Sequence, residues 1–511
     1  MIPSWLHSFS QKIWWILPCV LLIIQVPFLQ ADPDLLISPS RDAFSDEGLN
    51  TSQIRNFING YDLNTWECDN LIKNPLFNVL LAPFLYLFGT HWLTARLTVL
   101  IFCLLLLGLS IKWSGEQKYW IGFLFVGLLE YHLFQYMHFS MAEFPAIACI
   151  LLSIVLWMKA MQENDSRKKT LLIGISTLIS ACAWWMKIQF AYIVFLLPFS
   201  TLIYLIFIDT SMTKDKWKWM GWQVLAIMIT LIIYLVCWYF PTQEAWDFLI
   251  GNQTTDRFPA WEFQDDVIIY NTKIHFLETE SRIYFYTWIT SFILSISLLF
   301  FKHKNKSFLL FFIPVFIWNC IEIHKIFIHH VPGRYLVSSM AAMGLLIAVV
   351  GVEILNITWH SFQEKKPLKR WIFYMVLLML LMLTYNNGIT YLRMWKERSF
   401  TLSTIHHYFE QAELNNQTVV GAWSPGLTWG TKAQAIPVWK NFLNDRNILQ
   451  TLNPRIIFSE LKEEESDGAF TADGIDLLSI SDSTQQWKVG KWTVKAYWIN
   501  PDIVKTNFLT K

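Results

Sequence analysis

The chain has 511 residues, of which 54% are apolar and only 15% charged, where an ordinary soluble protein carries roughly 25% charged residues. Lys and Arg total 40 against 39 Asp and Glu, a net charge of +1, so no global field draws nucleic acid or an acidic partner. With a mean hydropathy of +0.36, these totals exclude a soluble enzyme, a disordered chain and a DNA binder, and point to a polytopic membrane protein.

A helix that crosses a bilayer needs about 20 mostly apolar residues. Windows of that kind lie at 12–30, 92–111, 119–136, 143–159, 171–187, 190–208, 219–240, 284–301, 307–325, 336–355 and 371–390, which predicts eleven spans. No small-residue cleavage site follows the first window, so it reads as an anchor rather than a signal peptide. Leu76 to Gly89 is apolar but too short to cross, and reads as a re-entrant or interfacial helix.

Basic residues set the orientation. Eleven alternating spans put loops 112–118, 159–170, 209–218, 302–306 and 356–370 on the side of the N-terminus, and these hold sixteen Lys and Arg. The two long loops of the opposite side, 31–75 and 241–283, each carry eight acidic and three basic residues. A cytoplasmic N-terminus and two long outer loops follow. Residues 1–390 then form a membrane domain, and 391–511 an outer domain of ordinary soluble composition, with 13 basic and 13 acidic residues. Within it, β-rich runs at Val419–Trp423, Arg455–Phe458, Ile475–Ile480 and Trp492–Ile499, and a helix near Trp439–Leu443, predict a small α/β fold. The expected fold class is therefore a polytopic α-helical membrane protein with a small C-terminal α/β domain. The seven Cys are scattered without metal-ligand spacing and read as buried apolar residues.

The first outer loop carries the densest chemistry: Ser40-Arg41-Asp42-Ala43-Phe44-Ser45-Asp46-Glu47-Gly48. Adjacent carboxylates beside a membrane suit a base with an orienting or metal-binding partner; they equally suit an acidic turn before a helix starting near Leu49. A polar helix over Thr51 to Asn59 follows, then Gly60-Tyr61-Asp62-Leu63, Lys73-Asn74-Pro75-Leu76, the apolar stretch ending at Gly89, and Ala95-Arg96-Leu97. Beyond these come Met141-Ala142-Glu143, Lys187 at the outer end of a span, and Pro332-Gly333-Arg334-Tyr335-Leu336.

This ordered series resembles the GT-C superfamily of membrane glycosyltransferases, and within it the branch of protein O-mannosyltransferases and lipid A aminoarabinose transferases. Asn74 stands where that branch has the first of two prolines. The resemblance implies transfer of a sugar, with inversion, from a polyprenyl-phosphate donor to a hydroxyl on the outer side of the membrane. Asp46 becomes the candidate base, with Glu47 and Glu143 shaping the site, and a divalent metal ion is expected at Asp46 and Glu143. Lys73, Arg334 and Tyr335 become candidate phosphate partners, with Arg96 and Lys187 behind them. The acceptor is a glycan, a lipid or a protein, and the compartment a bacterial inner membrane. The competing reading is a transporter or flippase, which calls for midplane charge and two related halves.

Other features have plainer readings. His324, His329 and His330 do not match a ligand motif and read as interfacial packing. Glu130 and Glu322 read as structural polar contacts, and Lys187 and Arg334 also suit snorkelling at the interface. In loop 241–283, Trp246, Phe258, Trp261 and Phe263 among carboxylates suit either sugar rings or an interfacial belt.

Overall fold

The structure is a computed structural model that describes residues 4–38, 40–208, 214–257, 265–302, 305–328, 331–363, 367–461 and 464–504. The helices, in chain order, begin with α1 (Ser4–Gln25), α2 (Asp42–Ile58), α3 (Asn70–Lys73), α4 (Pro75–Phe88), α5 (Trp92–Ser114) and α6 (Gln117–Phe123). Next come α7 (Tyr131–His138), α8 (Glu143–Gln162), α9 (Ser166–Met186), α10 (Leu196–Phe207), α11 (Lys214–Tyr234) and α12 (Gln243–Arg257). The series continues with α13 (Asp265–Thr272), α14 (Arg282–Lys302), α15 (Lys306–Glu322), α16 (Val337–Gln363), α17 (Pro367–Glu397) and α18 (Thr401–Gln411).

Among the described residues, nine helical runs are long and apolar enough to cross a membrane. The chain is an integral membrane protein. Two of the eleven expected windows lie outside these runs. The first, 12–30, falls on α1 and the turn that follows it, with an apolar stretch at Lys12–Phe28. The third, 119–136, is not one helix: α6 passes into a π turn at Leu124–Leu128, and Glu130 then caps α7 by accepting the N–H groups of His132 and Leu133 at 3.0 and 3.1 Å. Gly127 lies against Gly344 of α16 where neither has room for a side chain. That close approach, and the buried Glu130, make the segment an irregular core element rather than a lipid-facing rod. The stretch expected to be re-entrant is α4, opened by Pro75 and closed by Gly89 at φ +87°, the positions where each residue type is favoured.

Helix α8 is almost wholly buried and packs against α5, α9, α15 and α16. Residues 418–499 carry a five-stranded sheet of β1 (Thr418–Val420), β2 (Gln434–Ile436), β3 (Ile456–Ser459), β4 (Ser481–Val489) and β5 (Trp492–Ile499), in the order β2-β1-β3-β5-β4. Strands β2, β1 and β3 are parallel, and β5 and β4 complete the sheet as an antiparallel hairpin. Two local expectations fail here. Ile475–Ile480 is a turn that sends Ile475 and Ile480 into the core, and Trp439–Leu443 closes an isolated bridge instead of a helix.

Candidate active site

Helix α2 joins the helical bundle to the C-terminal region. It begins at Asp42, seven residues before the expected start, so the acidic pair sits inside the helix rather than ahead of it. Successive helical residues point about 100° apart, and the pair therefore divides. Asp42 and Asp46, four apart on one face, share Arg334 at 2.8 and 2.6 Å. Glu47 turns the other way into the bundle. There Arg96 grips it through two nitrogens at 2.5 and 2.8 Å, and the backbone N–H of Ser140 donates at 2.7 Å.

Arg96 is fully buried. Its remaining nitrogen donates to the carbonyls of Phe28, Leu29 and Ala31, and its guanidinium lies 3.7 Å from the Trp92 ring centre. Every face of this pair is used. The Glu47–Arg96 clamp ties α2 to α5 and to the turn before α8.

On the other face, the residues singled out from sequence come together from distant elements. Glu143 opens α8 and is ion-paired with Lys187, the residue that ends α9. Lys187 also stands 5.5 Å from the Tyr335 ring centre, and Arg334 stands 5.4 Å from it. Lys73 is ion-paired with Asp69, and its charge also feels Tyr335. Two cations, Lys187 and Arg334, thus flank one tyrosine ring.

Burial pushes the Asp46 carboxyl up to about 7; the charge of Arg334 opposes the rise, Asp42 adds to it, Lys187 opposes it and Glu143 adds to it. Asp42 is also pushed up by burial, but the charge and hydrogen bond of Arg334, a hydrogen bond from Ser40 and the charge of Arg41 together outweigh that and hold it below its ordinary range. The two aspartates that share one arginine are therefore driven apart, a pattern that separates a proton acceptor from a permanent anion. One oxygen of Glu143, Oε2, is buried without a hydrogen-bond partner among the described residues.

A divalent ion at Asp46 and Glu143 would compete with cations already seated there. Arg334 holds Asp46 and Lys187 holds Glu143, and among the described residues no group of three or more His, Cys, Asp and Glu is placed to hold a metal ion.

Two participants were invisible locally. Asp42 acquires its place only once the helix starts early enough to put it four residues from Asp46. Lys325, buried beside the site, donates to the Tyr335 carbonyl at 2.7 Å and to Ser338 at 2.5 Å and pairs with Glu322 at 2.9 Å. It fixes the turn that carries Arg334 and Tyr335. Glu322 also accepts from Tyr192, Trp318 and Ser339, and Glu130 binds His132 and Ser281, both structural networks. His324 lies against Tyr192. His329, His330, Phe258, Trp261 and Phe263 lie outside the described residues.

The C-terminal region grips α2 from behind. Arg55 donates to the Pro425 carbonyl at 2.5 Å and lies 3.8 Å from the Trp429 ring centre. The Asn56 side-chain amide pairs with both backbone groups of Ala435, at 3.0 and 3.1 Å. It thereby covers part of the open edge of β2. Gly48 touches the backbone of Pro425 and Gly426, where any Cβ would collide.

No family model matches the chain, and no curated protein matches it in sequence. Solved structures do match. ArnT from Cupriavidus metallidurans bound to undecaprenyl phosphate is 13% identical with a TM-score of 0.57, over 95% of this chain and 98% of that one. The same protein in its apo state is 12% identical with a TM-score of 0.58, over 94% and 97%. The likeness at this identity is one of fold, and it runs through the membrane helices and the C-terminal region together. The chain shares its fold with ArnT.

Proposed function

We propose that the protein transfers a sugar from a polyprenyl-phosphate donor to an acceptor hydroxyl, with inversion, at the extracytoplasmic face of a bacterial inner membrane. The observation that carries this reading is Asp46: a buried carboxyl raised to about 7, within reach of an arginine, a lysine and a second acid. A base with a pKa near the working pH is the most effective.

In this reading Asp46 takes the proton of the acceptor hydroxyl as its oxygen bonds to the anomeric carbon. The bond from that carbon to the phosphate oxygen breaks, and its electron pair leaves with the polyprenyl phosphate. Lys187 and Arg334, beside the Tyr335 ring, together with Lys73, supply donors for the departing phosphate. Arg334 then exchanges carboxylate partners for phosphate as substrate enters, which frees Asp46 to accept the proton. Attack opposite the phosphate inverts the anomeric centre, and charge develops as on an oxocarbenium ion. Sixteen cations in the five inner loops support a cytoplasmic N-terminus and an outward C-terminal region.

The test is a transfer assay with purified protein, undecaprenyl-phosphoryl sugars and a cell-envelope extract as acceptor, alongside mass spectrometry of co-purified lipid. A prenyl phosphate should co-purify, and Asp46→Asn should slow transfer about 10²–10⁴-fold while still binding the lipid. Wild-type transfer by folded Asp46→Asn overturns the base. Failure of the wild type to bind or use any prenyl-phosphate lipid overturns the function.

A further inference from the structure

Beside the cation cluster stands an aromatic wall that the reaction as described does not use. Trp184 and Trp185 occupy the last turn of α9, just ahead of Lys187. The Tyr234 ring, at the end of α11, lies 4.7 Å from Trp184 and 5.7 Å from Trp185. The wall continues through Trp238, Tyr239 and Trp246. Trp246 lies 6.2 Å from Tyr239, and Trp238 donates to the Ile72 carbonyl at 3.0 Å, one residue from Lys73. The rings therefore run between the two lysines of the site.

Their polar ends are unspent. The indole N–H groups of Trp184, Trp185 and Trp246 and the hydroxyl of Tyr234 are all buried without a hydrogen-bond partner among the described residues, as are both ends of the Gln189 amide. Tyr234 is 5% exposed and Trp184 8%, so water does not reach them freely. Buried donors are nearly always paired in native structures; four unpaired on one set of neighbouring rings ask for a ligand. An isoprenoid tail would cover the rings and leave every donor unsatisfied. A sugar meets both demands: its hydroxyls accept from N–H and O–H, and its C–H face suits the negative face of an aromatic ring.

We propose that the wall formed by Trp184, Trp185, Tyr234 and Trp246 is a carbohydrate subsite, which takes a hydroxyl-bearing sugar ring next to Lys73 and Lys187. The proposal rests on the glycosyl-transfer reading and deepens it. That ring belongs either to the donor or to the acceptor, and one experiment tells them apart.

Tyr234→Phe, Trp185→Phe and Trp246→Phe keep a ring and remove one donor each. Binding of bare undecaprenyl phosphate and of a panel of undecaprenyl-phosphoryl hexoses and pentoses is measured in nanodiscs, with transfer to a cell-envelope extract followed in parallel. Loss of one hydrogen bond weakens binding by about threefold to tenfold. If the wall holds the donor sugar, affinity for the sugar-bearing lipid falls by that factor and affinity for the bare lipid is unchanged. If it holds the acceptor, both lipid affinities stay and the extract concentration for half-maximal transfer rises. Equal losses for bare and sugar-bearing lipid overturn the proposal in favour of a tail groove. Variants matching the wild type in every measurement also overturn it, and since the wild type still binds prenyl phosphate in that case, the glycosyl-transfer reading stands. Should one variant fail to fold, Trp184→Phe replaces it.

Discussion

Asp46 and Glu47 are sequence neighbours, both buried and both paired with an arginine, yet the two pairs are built differently. Glu47 and Arg96 satisfy each other through two contacts, and backbone groups and an aromatic ring complete the shell. Asp46 shares its arginine with Asp42, beside a lysine and an acid that are only partly committed. A saturated buried pair has nothing left to offer a ligand and acts as a fastener. A cluster in which two acids divide one cation can be rearranged by an incoming anion, and its pKa values are spread, as acid–base chemistry requires.

Substitution should separate the two. Asp46→Asn is expected to abolish most transfer and leave the melting temperature near that of the wild type. Glu47→Gln leaves Arg96 as a buried, poorly paired charge, a change that costs about 3–5 kcal/mol; the melting temperature should drop sharply, while the molecules that remain folded keep transferring. If Glu47→Gln left stability intact and stopped transfer, the division between the two carboxylates would be wrong.

The rear face of α2 offers the next largest effect. Gly48→Leu forces a side chain into the backbone of Pro425 and Gly426, and overpacking of this kind costs about 1–3 kcal/mol. Limited proteolysis should then cleave residues 398–504 much faster. Transfer should fall as well, because the same helix carries Asp46.

The acidic cluster makes a pH prediction. With Asp46 raised to about 7, transfer should rise as pH increases through 7, since only the ionised base accepts the proton. Asp42→Asn removes a neighbouring negative charge and leaves Arg334 wholly to Asp46. Both changes favour ionised Asp46, so the midpoint of the pH–rate profile should move to lower pH.

Glu67 gives the smallest and most specific test. Burial raises its carboxyl from 4.5 to about 7, against hydrogen bonds from Asn56 and Gln434, and its backbone carbonyl accepts from Asn444. The folded protein therefore holds a proton that the unfolded chain releases. The resulting stability is fully present below pH 4.5 and is lost as pH rises through about 7. Thermal melts of Glu67→Gln should show a weaker decline across that interval.

Much of the architecture was legible because it is written locally. Nine of the eleven hydropathic windows fall on helices long and apolar enough to cross a membrane, and the run at Trp492–Ile499 coincides with β5. Strand β4 escaped notice because Ser481 to Gln486 are polar and mostly exposed, and only pairing with β5 makes them a strand. Segment 119–136 misled in the opposite sense: its hydropathy is that of a span, but Gly127 and Glu130 break the helix where it meets α16.

The sequence by itself determined that the chain lives in a membrane, which loops collect cations, and which short segments concentrate acids and bases. Hydropathy and charge are properties of neighbouring residues, so they survive being read in a line. Only the tertiary structure decided that Asp46 faces Arg334 while Glu47 faces Arg96, that Asp42 joins the first group, and that Lys325 braces the turn behind it. Those choices depend on a helix start set by packing, and on partners up to 292 residues apart. A one-residue step along α2 turns a side chain by about 100°, and that rotation separates the fastener from the base.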